Sequence, residues 1–366
     1  MNPLFEQIHQ LKTEWDTAQP LSADAERKLW QKIRLDWNYH SNHIEGNTLT
    51  YGETQLLLLH GQTHGDHQLR EYEEMKAHDV GIAHVRDLAA DSRFIGEGDV
   101  RNLNQIILKE PFWKDARTAD GQPSRKQIIP GEYKSTPNNV ITATGELFEF
   151  APPADVPIRM RELLTQLEER LGNGACHIAE VIAWFHHQFV LIHPFDDGNG
   201  RVARLLVNYL LLRGGYLPII VPTEEKASYL GALRLADAGE PASFADYLGQ
   251  RIKTALEMGI RASKGESIEE PGDLEKEIQL FIRNQEGQRE KMRMPSLDEL
   301  QRIYEQGILP LVQGASEKMS VFHPLFSKIK VDTLGHPLHR ISKEVKEGVL
   351  NTEPGGASFN LRGYKG

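Results

Sequence analysis

Apolar residues return every three to four positions through most of residues 22–261, and that rhythm commits the chain to packed helices. Trp30, Ile33 and Trp37 share one face of a helix that Ser22 can cap and that runs on toward Ile44. Gly46 and Asn47 stop it, because both residues tolerate the left-handed backbone that ends helices. Thr50 and Glu53 have capping-box spacing and open a short helix through Leu59. The same spacing predicts helices over residues 69–88, 100–108, 157–171, 175–190, 201–213, 224–238 and 244–261. Residues 115–150 break the pattern. Gly121, Pro123, Pro130, Gly131, Pro137 and Gly145 fall there, with β-prone pieces at Val140-Ile141-Thr142 and Leu147-Phe148. That segment reads as a loop followed by a small hairpin.

The chain has 366 residues, 39% of them hydrophobic, enough for one large domain and a smaller one without disulfide support. Cys176 is the single cysteine, so no intrachain disulfide can form and a reducing compartment fits best. No basic stretch followed by an apolar run opens the chain, and the most apolar run, Leu56 to Leu59, is far too short for a bilayer. A cytoplasmic protein without a membrane role is expected. A net charge of −10 makes it a poor general binder of nucleic-acid backbone. Residues 263–273 are polar with Gly and Pro, a linker signature. The expected division is therefore N-terminal helices over 1–66, a core over 67–262, the linker, and a separate domain over 274–366. In that domain a charged helix from 273 and a capping-box start at Ser296 are expected.

Chemistry concentrates between two of the helices. Gly198-Asn199-Gly200 enters a helix, so successive backbone N–H groups and the helix dipole can face an anion. Arg201 and Arg204 lie three apart on the same helical face, two guanidinium forks that suit a polyphosphate. Asp197 is placed to hold a magnesium ion bridging phosphate oxygens, and His193 supplies a base that titrates near neutrality. His323-Pro324 and His336-Pro337 serve as internal controls: neither is followed by a glycine loop or paired arginines.

The run His193-Pro194-Phe195-Asp196-Asp197-Gly198-Asn199-Gly200-Arg201-Val202-Ala203-Arg204 resembles the Fic family signature, His-x-Phe-x-Asp/Glu-Gly-Asn-Gly-Arg-x-x-Arg, at every specified position. The resemblance covers residues 20–255 and implies a mainly α fold: a Fic-type helical bundle, a small β-hairpin flap and, outside it, the smaller C-terminal domain. It also implies protein adenylyltransfer, the movement of AMP from ATP to a Ser, Thr or Tyr hydroxyl of a protein target, the enzyme itself included. On that resemblance His193 takes the hydroxyl proton, Asp197 binds Mg²⁺, and Gly198, Asn199 and Gly200 cradle phosphates. Arg201 and Arg204 hold the β and γ groups, with Val202 and Ala203 inside the same nucleotide-binding run. Phe195 anchors the loop. Tyr229 resembles a family tyrosine near the nucleotide base, and Asn208 is a weaker candidate. The hairpin near 136–148 sits where the family places its flap, which docks the target in extended form. Homodimers occur in the family, although no feature of this sequence specifies one.

Upstream, Ser41-Asn42-His43-Ile44-Glu45-Gly46 resembles the family's inhibitory motif, Ser/Thr-x-x-x-Glu-Gly/Asn. It implies that Glu45 pairs with Arg204 and blocks the productive pose of ATP, with Ser41 and Gly46 framing it. In some family members this glutamate supports AMP removal instead. Three rival readings stand beside adenylyl transfer. One is transfer of another nucleotide or of phosphate on the same scaffold. Another is a metal hydrolase using His186, His187 and His193, and the third is a degenerate scaffold whose C-terminal region binds DNA.

Overall fold

The computed structural model describes residues 2–63, 65–117, 122–141 and 147–269, with short segments beyond. Among the described residues, ten α-helices account for most of the larger unit, Met1–Leu280. The expected helical run begins at Ser22, and the structure adds α1 (Pro3–Thr17) ahead of it, capped by the Asn2 side chain on the Leu4 N–H. α1 lies along α10 (Pro241–Ser263), where Gly249 and Gly259 leave room for Ile8 and Trp15. A Cβ on Gly259 would meet the Trp15 ring at 2.8 Å, so a larger residue there would push α1 off the core. The N-terminal helices over residues 1–66 thus lie in the same unit as residues 67–262. The division between the two units falls at 280/281, beyond the expected linker at 263–273.

α2 (Ala23–Ile44) starts at Ser22, whose hydroxyl accepts from the Ala25 N–H, and buries Leu29, Ile33, Trp37 and Ile44. It stops at Glu45 because Gly46 takes φ +100°, a left-handed conformation open to glycine at little cost. α3 (Tyr51–His60) carries the expected capping box between Thr50 and Glu53. α4 (Leu69–Ala90), α5 (Glu97–Leu108), α6 (Val156–Asn173), α7 (Ile178–Ile192) and α9 (Lys226–Asp237) lie where the apolar spacing puts them, within a few residues.

The centre is α8 (Asn199–Arg213), buried on every side from Arg201 to Leu211, as expected of a helix surrounded by neighbours. α4, α5, α7 and α2 all pack on it. Its N-terminus therefore opens at one end of the bundle, fixed by the whole core behind it.

Between α5 and α6 the structure holds two hairpins where one was expected. β1 (Phe112–Arg117) pairs antiparallel with β2 (Pro123–Ile128), and Lys114 faces Lys126 across the register. β3 (Val140–Ile141) and β4 (Leu147–Phe148) then form the short flap anticipated at 136–148. In the second unit, Phe281–Gly366, β5 (Phe326–Thr333) pairs antiparallel with β6 (His336–Pro337) and β7 (Ala357–Tyr364), a sheet with no counterpart in the sequence expectations. The helix expected from 273 and the start at Ser296 lie outside the described residues. Among the described residues, no helix is long and apolar enough to cross a membrane.

Candidate active site

The loop between α7 and α8 is bent sharply and held from several directions. His193 ends α7 with left-handed backbone, φ 49° and ψ 60°, while its N–H still donates to Phe189. That conformation costs a non-glycine residue about 1–3 kcal/mol and persists only where the surroundings enforce it. Here Asn199 does so by closing the loop on itself. Its Oδ1 accepts from the Phe195 N–H at 2.9 Å and its Nδ2 donates to the Phe195 carbonyl at 2.7 Å. The Phe195 ring is 1% exposed and pins the loop to the core. Asn138 Nδ2 donates to the same Phe195 carbonyl, and Lys134 donates its N–H to Pro194 and its Nζ to Ile192. Asn104 Nδ2 donates to the Asp197 carbonyl just before Gly198, whose φ of +80° turns the chain into α8.

His193 presents a neutral ring. Burial first, then the nearby Lys134 ammonium, pushes its pKa down to about 4. The ring is stacked on Phe150, with centroids 4.0 Å apart. At neutral pH it carries a lone pair and can accept a proton. Lys134 is itself buried, which lowers its pKa to about 8.

Opposite His193, the first turn of α8 gathers the anion-binding groups. Arg204 is 7% exposed and held in place: Nε donates to Ser41 Oγ at 3.1 Å and Nη2 to the Ser41 carbonyl at 2.8 Å. The same Nη2 meets Glu45 Oε1 at 2.7 Å. The Glu45 carboxylate lies against Gly200, close enough that a Cβ there would collide with Oε1. An acidic side chain thus occupies the helix N-terminus, the position a phosphate favours. Burial works against the Glu45 charge, yet Arg204, with Arg201 behind it, holds the carboxyl below its ordinary pKa. Burial likewise opposes charge on Arg204, and Glu45 more than offsets it.

Glu45 borders a cleft of about 660 Å³ that is also lined by Gly46, Arg70, Lys114, Asp197 and Arg201. Asp197 Oδ1 accepts from the Gly198 N–H, and Oδ2 faces Lys114 Nζ at 3.0 Å. Burial would raise this carboxyl, but Lys114 and Arg201 keep it low. Among the described residues, no group of three or more His, Cys, Asp or Glu could hold a metal ion. Asp197 is the carboxylate that the loop itself brings to the cleft, already paired with a cation, and this donor fits Mg²⁺ held by one carboxylate together with substrate phosphates and water.

Several expected residues have different tasks. The Asn199 side chain braces the loop, so only its backbone N–H is available to an anion. Val202 and Ala203 are 0% exposed, with side chains in the core. Tyr229, expected beside a base, is 3% exposed. Its hydroxyl lies 2.7 Å from His186 Nε2 and adjoins Arg204, so it backs the arginine rather than lining the cleft. Asn208 ties α8 to Ile219 through both backbone groups. His186 faces Tyr229, and His187 Nε2 faces Asp237 at 2.8 Å, so the histidines of a hydrolase do not converge with His193. Sequence reasoning missed Lys114, Lys126, Lys134, Asn138 and Phe150. All but Lys114, one residue ahead of it, come from the Gly/Pro-rich segment, whose lack of periodicity hides which side chains reach the loop.

Two buried histidines, His78 and His186, and the partly buried His193 make the fold acid-sensitive. Burial lowers His78 well below its ordinary value, His186 to about 3 and His193 to about 4. In the unfolded chain each titrates near 6.5, so their neutral forms stabilise the fold fully above that pH. The stability is lost as pH falls from about 6.5 toward the folded values, at about 1.4 kcal/mol per pH unit for each histidine. A thermal unfolding series should show Tm declining between about pH 6.5 and 5.5, before carboxylates titrate. A flat Tm across that window would contradict this account.

Comparison with known proteins agrees with the geometry. The Fic/DOC family matches residues 94–211, which span the hairpins, the loop and α8. The chain is 27% identical over 266 residues to protein adenylyltransferase fic-1 of Caenorhabditis briggsae, covering 72% of this chain and 48% of that one. It is 26% identical over 272 residues to protein adenylyltransferase Fic of Drosophila mojavensis, 74% of this chain and 48% of that one. The chain thus spans about half the length of these relatives. Among solved structures, a Fic-1 fragment from Caenorhabditis elegans is 25% identical with a TM-score of 0.58, over 71% of each chain. A Fic domain containing signaling protein from Bacteroides thetaiotaomicron is 40% identical with a TM-score of 0.67, covering 73% of this chain and 100% of that one. With the complete loop motif set at the mouth of α8 and this likeness spanning the whole of the bacterial protein, the chain belongs to the Fic/DOC family.

Proposed function

We propose that this chain transfers the adenylyl group of ATP to a hydroxyl of a protein side chain and is held off at rest by Glu45. The observation that carries the reading is the Glu45 carboxylate lying on Arg204 and Gly200, where an anionic substrate group would otherwise sit. The names of the relatives supply the chemical class.

The neutral His193 ring takes the proton from the attacking hydroxyl. The hydroxyl oxygen bonds to the α-phosphorus as the bond to pyrophosphate breaks. The backbone N–H groups of Gly198, Asn199 and Gly200 and the guanidinium of Arg201 hold phosphate oxygens, and Arg204 joins them once Glu45 withdraws. Mg²⁺, held by Asp197 with phosphate oxygens, would neutralise charge as pyrophosphate departs. Positioning and charge stabilisation are the main requirements of such a transfer, and the braced loop provides both. The flap beside Phe150 is the proposed seat of an extended target segment, the enzyme's own chain included.

Incubation of the Glu45→Gly variant with ATP labelled at either the α or the γ phosphate decides the reaction type. Adenylyl transfer is expected to leave the α label and adenosine on protein and to release the γ label. Retention of γ label alone would overturn this reading in favour of phosphate transfer.

A further inference from the structure

The β1–β2 hairpin brings two lysines to the loop that the Fic motif does not include. Lys114 and Lys126 are directly opposed in the register, so they share one face of the hairpin. Lys126 is tied down: Nζ lies 2.6 Å from Asp196 Oδ1 and 2.5 Å from Thr136 Oγ1. The base of the hairpin is equally fixed. Ile128 is 3% exposed in the core, and the Phe112 ring lies 3.6 Å beneath the Arg70 guanidinium. Lys114 differs, with a side chain 55% exposed, a single partner in Asp197 and a place on the cleft wall beside Arg201 and Glu45.

The neighbouring cations of the cleft are less exposed or more tightly tied than Lys114: the Arg201 side chain is 5% exposed, and Arg70 Nε donates to Glu74 at 2.9 Å. Arg201 sits between Glu74 at 3.8 Å and Asp197 at 3.9 Å. An exposed lysine–carboxylate pair is weakly held, so Lys114 can exchange partners at small cost. A polyphosphate entering the cleft brings more negative charge than one carboxylate and accepts hydrogen bonds from an ammonium.

We propose that Lys114 is a polyphosphate-binding residue, which neutralises Asp197 in the empty cleft and moves onto the β and γ phosphates when a nucleoside triphosphate enters. The exchange frees Asp197 at the moment the phosphates arrive, and Lys126 keeps the hairpin in reach throughout. This inference rests on the nucleotide reading above.

Calorimetric titration of Glu45→Gly and of Glu45→Gly/Lys114→Met with ATP, AMP and inorganic pyrophosphate, all with excess Mg²⁺, tests it. Loss of Lys114 is expected to weaken ATP and pyrophosphate roughly tenfold or more while leaving AMP within about twofold, because AMP lacks the outer phosphates. Adding Lys114→Arg should restore most of the ATP affinity, which a purely structural role would not predict. Equal weakening of ATP and AMP, or no weakening of either, overturns the assignment of Lys114. If Glu45→Gly itself binds no ATP, the nucleotide reading fails instead, a result distinct from failure of the lysine.

Discussion

Glu45→Gly is expected to raise incorporation of the α label from ATP roughly ten- to a hundredfold over the unaltered protein, the usual span of coupling between two sites. The reason is local. Arg204 Nη2 is shared by the Ser41 carbonyl and Glu45 Oε1, and the carboxylate rests on Gly200 at the helix mouth. A phosphate cannot enter that position while a like charge occupies it. Removing the carboxylate opens the helix end and returns one arm of a buried guanidinium to the substrate. Glu45→Gln should give a smaller rise, since the amide keeps the bulk and loses the charge. Stability should move the other way. A buried arginine left without its partner costs about 3–5 kcal/mol in a fully desolvated pair, and Glu45 is 38% exposed, so about 1–2 kcal/mol is expected here. The empty variant should therefore melt lower and recover more Tm on adding ATP than the unaltered protein does. Equal labelling of the two proteins would remove Glu45 as a brake.

The groups proposed to hold phosphate, and those that meet Arg204, were legible because each belongs to a short run of fixed chemistry. Gly198 to Arg204 announces a helix N-terminus with two guanidinium groups on one face, and Ser41 with Glu45 announces a helix end bearing a carboxylate. Their meeting, 159 residues apart in the chain, follows from the resemblance and not from any local spacing. The supports behind them were not legible. Tyr229 has the same residues around it whether it lines a base pocket or backs Arg204, and only the packing of α9 against α7 and α10 decides. Asn199 reads as part of a phosphate loop, yet its amide matches the two backbone groups of Phe195 so well that it closes the loop instead. Lys114, Lys126 and Lys134 sit in a segment without periodicity. Strand pairing brings Lys114 and Lys126 to the loop and burial holds Lys134, and neither is encoded in the spacing of apolar residues there. The fold followed the same rule. Helices with an apolar stripe were found within a few residues, while the β1–β2 hairpin depended on a register that no short pattern reveals.

His193→Ala in the Glu45→Gly background should reduce α-label incorporation by about 10²–10⁴, the range for loss of a positioned general base, with ATP affinity kept within a few-fold. The two readouts separate because the ring and the groups proposed to hold phosphate are built differently. His193 sits at the end of α7, stacked on Phe150, whereas the phosphate groups belong to the first turn of α8, which Asn199, Phe195 and Asn104 hold without the imidazole. Burial and Lys134 lower the ring pKa to about 4, while Glu45 and Asp197 pull it upward. Glu45→Gly removes one of those two carboxylates, so the ring should be still less basic in the released enzyme. Its labelling rate should accordingly stay flat from alkaline pH through the neutral range and fall only on the acid side of about pH 5, as the ring begins to take a proton from water instead of from the hydroxyl. A fall centred near 6.5 would mean that the loop opens and hydrates the ring before reaction. Loss of ATP affinity together with activity would mean that His193 shapes the phosphate loop rather than accepting the proton.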